Sequence, residues 1–250
     1  MVVAARTEGD FTIPKLLLGN QQKWADKVWM RKKELGFWRE YTWKEACGNI
    51  KNFSLGLMSL GFQRGEVMAI LGDNDPHWFW AQLAAQAAGG VVTGVFSSSG
   101  AKEVKYFLEH SDAKIVVAQD QEQVDKILEI KDELPLVKKV IYWDPKGLRS
   151  YEDPILASFD SIAEMGVKYG QDHPGVFEES IAKGKTGDLA LLMYTSGTTG
   201  LPKATMVSYA SLTASNTAFY AMNPITEKDE WVSFILPGWS AEQGLGLLGS

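Results

Sequence analysis

The hydrophobic and polar positions of this chain alternate between short apolar runs and amphipathic segments. Uncharged apolar runs at 67–71 and 115–118 predict strands that are buried on both faces. The segments at 97–112 and 120–134 place their apolar residues at helical spacing and therefore predict helices. This alternation predicts a doubly wound α/β fold, with layered, largely parallel sheets and helices on both faces.

The amino-terminal part predicts a helix, a hairpin and a second helix. Pro14 suits the first turn of a short helix, and two strand-like segments flank a polar turn at 32–36. Thr42 and Glu45 have the spacing of a capping box, and Gly61 suits the end of the helix that they open.

The carboxyl-terminal part begins with an irregular polar stretch at 144–187, interrupted by a short predicted helix at 159–169. This stretch is the candidate join between two subdomains. A buried strand is predicted at 188–194, a helix at 206–222 and a further strand at 230–237.

Composition and charge narrow the class of protein. Hydrophobic residues make up 45% of the 250 and charged residues 22%, values typical of a soluble globular protein. The formal net charge is −6, which argues against a nucleic-acid partner. Cys47 is the single cysteine, so an intrachain disulfide and a CxxC site are excluded, and a cytoplasmic location is expected. The first residues do not have the pattern of a signal peptide, and the apolar run from Leu83 is too short to span a bilayer.

The most specialised stretch, YTSGTTGLPKAT, follows the predicted strand at 188–194. Ligands of open α/β sheets bind at the carboxyl ends of strands. Gly197 and Gly200 allow backbone N–H groups to point into one concavity, and Lys203 adds a positive charge. Four hydroxyl groups complete the set, from Thr195, Ser196, Thr198 and Thr199. This combination predicts a polyphosphate site.

The stretch differs from a Walker loop, in which the lysine begins a helix. Here Pro202 removes the amide directly before Lys203, which predicts a mobile loop rather than one fixed on a helix end. The alternative is a plain strand-to-helix connection, although such connections are usually shorter and less specialised.

Residues 195–203, TSGTTGLPK, resemble the phosphate-loop signature of the adenylate-forming superfamily, which includes acyl-CoA synthetases, luciferases and peptide adenylation domains. The resemblance extends through 64–96, 102–130 and 140–147 to the amino-terminal part of bacterial long-chain fatty acyl-CoA synthetases. It therefore covers essentially the whole chain.

This resemblance implies a two-step ligase that uses ATP, Mg²⁺ and coenzyme A. A fatty acid carboxylate would attack the α-phosphate of ATP, and the thiol of coenzyme A would then displace AMP. The residues implied for the β- and γ-phosphates are Thr195, Ser196, Gly197, Thr198, Thr199, Gly200 and Lys203. Of these, Lys203 has the catalytic role and Thr195 also helps to hold Mg²⁺.

Two positions differ from the commonest sequence of the family. Ala204 stands where a glycine is usual, and an alanine at positive φ would cost about 1 kcal/mol. Ser208-Tyr209 replaces the usual Ser-His, which leaves open the geometry at the floor of the acyl site.

The tryptophans and histidines give weaker indications. Trp239 lies in a segment that resembles the one placing an aromatic residue beside the acyl group, with a core position as the alternative. Trp78 and Trp80 are expected in the core. The histidines have no ligand or triad spacing, and no chemistry is assigned to His77, His110 and His173.

The family's adenine, ribose and adenylation-lysine segments have no counterpart in residues 1–250. The chain is therefore expected to be the amino-terminal portion of a large adenylation domain and to lack ligase activity alone. Two other classes remain open: an adenylate-forming enzyme that loads a carrier protein, and a noncatalytic nucleotide-binding module. Peripheral contact with a membrane is compatible with a fatty acid substrate, and the oligomeric state is left open.

Overall fold

The computed structural model describes residues 10–195, 200–226 and 228–248 and contains two sheets. A two-stranded antiparallel hairpin comprises β1 (Val28–Glu34) and β2 (Phe37–Thr42). The large sheet has seven strands: β3 (Val67–Leu71), β4 (Val91–Val95), β5 (Ala113–Ala118), β6 (Lys139–Tyr142), β7 (Leu156–Ser158), β8 (Leu189–Thr195) and β9 (Lys203–Ser208). Their spatial order is β7-β6-β5-β3-β4-β8-β9, and every neighbouring pair is parallel except the antiparallel pair of β8 and β9.

The helices cover both faces of this sheet. They are α1 (Ile13–Trp24), α2 (Trp43–Ser59), α3 (Pro76–Ala87), α4 (Ala101–His110), α5 (Gln121–Ile130), α6 (Phe159–Asp172), α7 (Val176–Ala182) and α8 (Tyr209–Met222), with a 3₁₀ turn at Lys131–Glu133 and a π-helix at Glu242–Leu248. Thr42 and Glu45 form the predicted capping box of α2, and Gly61 follows its end at a φ of +80°.

Alternate residues of β3 show how the two layers arise. Met68 and Ile70 are buried on the side of α1, α2, α3 and α6. Ala69 and Leu71 are buried on the other side, against α4 and α5. Because both faces are covered, the strand has to be apolar throughout. The predicted α/β class, with a largely parallel sheet and helices on both faces, is confirmed.

The stretch at 144–187 is more regular than its polar sequence indicates, since it contains β7, α6 and α7. Helix α6 packs directly on α2, where Phe53 and Phe159 stack with ring centroids 3.9 Å apart. The two backbones approach closely at Gly56 and Gly166. The subdomain join predicted here stays a prediction.

Two predicted elements differ from the structure. Residues 206–208 belong to β9 rather than to the predicted helix, which begins only at Tyr209. The predicted strand at 230–237 is irregular, because no strand among the described residues pairs with it. Instead, the Asn74 side-chain amide donates to Ser233 Oγ and to the Ile235 carbonyl.

None of the helices in the described ranges is both long enough and apolar enough to cross a bilayer.

Candidate functional site

The specialised stretch joins the antiparallel strands β8 and β9. Thr195 is the last residue of β8 and Lys203 the first of β9, and the two face each other in the ladder. Since β8 is parallel to β4, Thr195 lies at the edge of the sheet that carries the carboxyl ends of the other strands. The predicted difference from a Walker loop is confirmed, because Lys203 begins a strand and not a helix.

Four of the predicted phosphate ligands, Ser196, Gly197, Thr198 and Thr199, lie outside the described residues. Gly200 is described and has a φ of +130°, a conformation that side chains rarely adopt. Thr195, Gly200 and Lys203 are all exposed. The roles given to these seven residues stay predictions.

Ala204 and Ser208-Tyr209, which differ from the family's commonest sequence, both fit the fold. Ala204 lies within β9, opposite Tyr194, and is not at positive φ, so the anticipated strain is absent. Ser208 caps α8 by accepting a hydrogen bond from the Ser211 N–H at 3.2 Å. Tyr209 is buried at the start of the same helix, and burial raises its pKa far above the ordinary value.

Helix α4 forms hydrogen bonds at both ends of the loop between β8 and β9. The sequence did not predict this arrangement. The Tyr106 hydroxyl donates to the Pro202 carbonyl at 2.6 Å, just before β9. His110 Nδ1 and the Tyr194 hydroxyl lie 2.8 Å apart, just before Thr195. Burial raises the pKa of Tyr194 to about 12, so its hydroxyl stays protonated at neutral pH. One helix face therefore fixes the points where the loop leaves and rejoins the sheet.

Replacing Tyr106 with phenylalanine should remove the bond to Pro202 while keeping the ring in place. We expect the free energy of unfolding to fall by about 1 kcal/mol, the usual net value of such a hydrogen bond. Urea unfolding followed by circular dichroism would measure the change. Tyr142→Phe is the matched control, since the Tyr142 hydroxyl has no hydrogen-bond partner in the described part of the chain. Equal stabilities of the two variants would contradict the bracing role of Tyr106.

The neighbouring loops at this edge are bonded to one another. Ser97, after β4, donates its hydroxyl to Asp73 Oδ1 at 2.6 Å, after β3. The Asp73 N–H donates to Gln119 Oε1 at 2.8 Å, after β5. Lys126 donates to the Ser97 carbonyl at 2.6 Å. The edge beside Thr195 is therefore a connected polar surface.

Trp239 follows a segment that crosses the same edge. Gly94 of β4 and Gly238 approach so closely that a Cβ atom on Gly94 would lie 2.7 Å from the Gly238 Cα. Trp239 itself is 52% exposed, which removes the alternative of a core position. Its contact with an acyl group stays a prediction.

Trp78, Trp80 and His77 make contacts within the fold. Trp78 and Trp80 are buried, as predicted. His77 lies 2.7 Å from a carboxylate oxygen of Asp75. Burial opposes ionisation of Asp75, but hydrogen bonds from His77 and Lys32 outweigh it and lower its pKa to about 2.

A Mg²⁺ site made by the protein alone is not evident. Within residues 10–195, 200–226 and 228–248, no three His, Cys, Asp or Glu side chains are grouped as metal ligands would be. Mg²⁺ commonly binds through one or two protein oxygens, substrate phosphates and water, so the exposed Thr195 hydroxyl suits such a donor set.

Curated relatives of this chain are fatty acid–CoA ligases. The chain is 30% identical over 203 residues to the long-chain-fatty-acid–CoA ligase ACSBG2 of Xenopus laevis, covering 81% of this chain and 27% of that protein. It is 30% identical over 227 residues to the human ACSBG2, covering 90% and 31% of the two chains. The chain thus spans less than a third of the length of these relatives.

Solved structures share the fold at lower identity. The anthranilate CoA ligase AuaEII, in complex with anthranoyl-AMP, matches with a TM-score of 0.72 at 19% identity, covering 89% of this chain and 39% of that chain. The luciferase-like enzyme of the mealworm Zophobas morio matches with a TM-score of 0.74 at 18% identity, covering 97% and 52%. The family model described as "AMP-binding enzyme" matches residues 19–250, and the chain therefore belongs to the AMP-binding enzyme family.

Proposed function

We propose that this chain supplies the phosphate-binding part of an ATP-dependent fatty acid–CoA ligase. The observation that carries the proposal is the pairing of Thr195 with Lys203, which brackets the TSGTTGLPK stretch at the ligand-binding edge of the sheet. The ligase relatives and the membership of the family support the same reading.

The proposed reaction transfers an acyl group in two steps. A fatty acid carboxylate oxygen attacks the α-phosphorus of ATP, the bond to the β-phosphate breaks, and pyrophosphate leaves with the electron pair. The coenzyme A thiol then loses its proton and attacks the acyl carbon, and AMP leaves with its phosphate oxygen. Both steps release a phosphate group that gains negative charge, which nearby cationic and N–H groups stabilise.

In this proposal the residues of the loop bind the β- and γ-phosphates. The Lys203 ammonium group faces the charge that develops on the leaving pyrophosphate, and it is free to do so because its side chain is exposed at the start of β9. The Thr195 hydroxyl contributes to holding Mg²⁺, which neutralises phosphate charge when it is bound. Trp239, exposed beside the same edge, is the proposed acyl contact.

The surroundings expected for this activity are also part of the proposal. We expect the enzyme to act in the cytoplasm, with access to fatty acid at a membrane surface.

Cys47 is buried, and burial raises its thiol pKa to about 12, so we expect no role for a thiolate.

A pyrophosphate-exchange assay of the full-length protein, run over fatty acids of increasing length, tests the proposal. Exchange of labelled pyrophosphate into ATP that depends on fatty acid would support adenylation, and the length preference would identify the substrate. Analysis of the product then separates a thioester of coenzyme A from one on a carrier protein. Nucleotide binding without exchange would favour the noncatalytic module.

A further inference from the structure

The turn between β1 and β2 exposes three large apolar side chains. Leu35 is 100% exposed, Phe37 79% and Trp38 63%. They follow one another closely in sequence at the end of a hairpin. Single exposed apolar residues are common on proteins, but a group of them is typical of an interaction surface.

The fold does not require a leucine in this turn. Leu35 and Gly36 form a two-residue turn with φ of +48° and +88°, a combination for which Asn-Gly is the preferred sequence. Leucine is strained at positive φ, and its side chain here gains no packing in return. A strained and fully exposed apolar residue points to a function of the turn itself.

The base of the hairpin is held against the body, so the tip projects from a fixed support. Trp29 stacks on Trp43 with ring centroids 4.1 Å apart. Lys32 forms an ion pair of 2.7 Å with the buried carboxylate of Asp75. Beyond this support, the tip has no comparable anchoring contact among the described residues.

Phe37 and Trp38 point to opposite faces of the hairpin, because neighbouring residues of a strand alternate. A groove on a partner protein would receive one face of a flat ribbon. A fluid bilayer surface, in contrast, can surround a projecting wedge on both sides, and tryptophan side chains favour that interface.

Cations outnumber acidic residues in the hairpin, and the one nearest the apolar tip, Lys33, is unpaired among the described residues. The hairpin has four cationic residues against two acidic ones, in a chain whose formal net charge is −6. Lys33 lies 6.0 Å above the Trp38 ring and has no ion pair among the described residues, whereas the exposed Arg39 lies 3.9 Å from Glu34. Arg31 and Lys32, nearer the base, are paired with carboxylates of Glu40, Glu230 and Asp75. The four cations are Arg31, Lys32, Lys33 and Arg39.

We propose that the β1–β2 tip inserts at the surface of an anionic lipid bilayer. Leu35, Phe37 and Trp38 enter the boundary between head groups and acyl chains, while Lys33 and Arg39 face the acidic head groups. This role assigns a residue-level contact to the membrane access proposed above, but it does not depend on the ligase chemistry, since it involves neither ATP nor the loop at β8 and β9.

Sedimentation of the full-length protein with vesicles tests the proposal. The vesicles are phosphatidylcholine alone or an equimolar mixture with phosphatidylserine. We expect the chain to sediment preferentially with the anionic vesicles. The variant Leu35→Asn/Trp38→Ser should reduce this binding about tenfold, because it removes two of the three inserted side chains. Lys33→Glu should reduce binding to the anionic vesicles specifically.

The controls separate binding from folding. Asparagine tolerates positive φ, so Leu35→Asn alone should lower vesicle binding without lowering the free energy of unfolding. Met222→Ser removes another exposed apolar side chain, 76% exposed at the end of α8, and should leave binding unchanged.

Four results would overturn the proposal. The unchanged protein does not bind vesicles, or it binds neutral and anionic vesicles equally. Alternatively, the tip variant binds as well as the unchanged protein, or its weaker binding is explained by the loss of self-association through the tip. Sedimentation velocity without lipid detects the last of these. None of these results bears on pyrophosphate exchange, so the two proposals fail separately.

Discussion

Lys203→Ala in the full-length protein should lower kcat/KM for ATP about a hundredfold, the size of effect seen when one preplaced group facing transition-state charge is removed. Lys203 is exposed and begins β9, so its truncation should leave the folded structure intact. Pyrophosphate exchange at varied ATP concentration would measure the change.

Two further variants sharpen this result. Lys168→Ala removes an exposed lysine on α6, the helix that packs on α2, and should leave exchange unchanged. Lys203→Arg keeps the charge and should restore part of the activity, with an incomplete recovery because guanidinium and ammonium groups differ in shape. An unchanged ATP dependence in Lys203→Ala would rule out the assigned phosphate contact.

Gly166→Ala should be the most destabilising single-methyl change in the α2–α6 contact, lowering the free energy of unfolding by about 3 kcal/mol. A Cβ atom on Gly166 would lie 1.8 Å from the Asn52 carbonyl oxygen, and one on Gly56 would lie 2.1 Å from that of Ile162. Both obstacles are backbone atoms, so relief requires the two helices to separate.

Gly48→Ala is the matched control for this prediction, since Gly48, like Gly56, lies in α2 but has no neighbour within 4 Å of an added Cβ atom. Alanine favours helix over glycine by about 1 kcal/mol, so this control should stabilise the protein. Urea unfolding followed by circular dichroism would compare the variants. A stabilising effect of Gly166→Ala would show that the helices do not cross as described.

The sequence predicts most of the fold because local patterns determine most of its elements. The apolar run of β3 and the capping box at Thr42 depend on residues close together in the chain, and both occur as predicted. Strand β9 is not predicted by the sequence, because residues 203–208 do not alternate between buried and exposed positions. They form a strand because they pair with β8. The expected strand at 230–237 failed for the converse reason, since its apolar pattern has no partner strand.

The sequence predicts that the loop follows a buried strand, as β8 shows, but it does not predict the contacts that hold the ends of the loop. The glycines, hydroxyls and lysine of the loop are contiguous, so a local signature reveals them. The bond from Tyr106 to Pro202 joins residues 96 positions apart, and only the folded sheet brings them together. The spacing of Tyr106 and His110 on one helix face was a visible signal, but nothing local named their partners.

Strand β9 also forms an edge of the seven-stranded sheet, with Met206 72% exposed. Open strand edges can pair with other chains, and charged side chains, lysine above all, discourage that pairing. Lys203 is the only charged residue of β9. The residue proposed to bind phosphate therefore also disfavours pairing of this edge with another chain. Replacing Lys203 with alanine removes the proposed phosphate contact and the edge charge together. The solubility of that variant therefore has to be measured beside its activity.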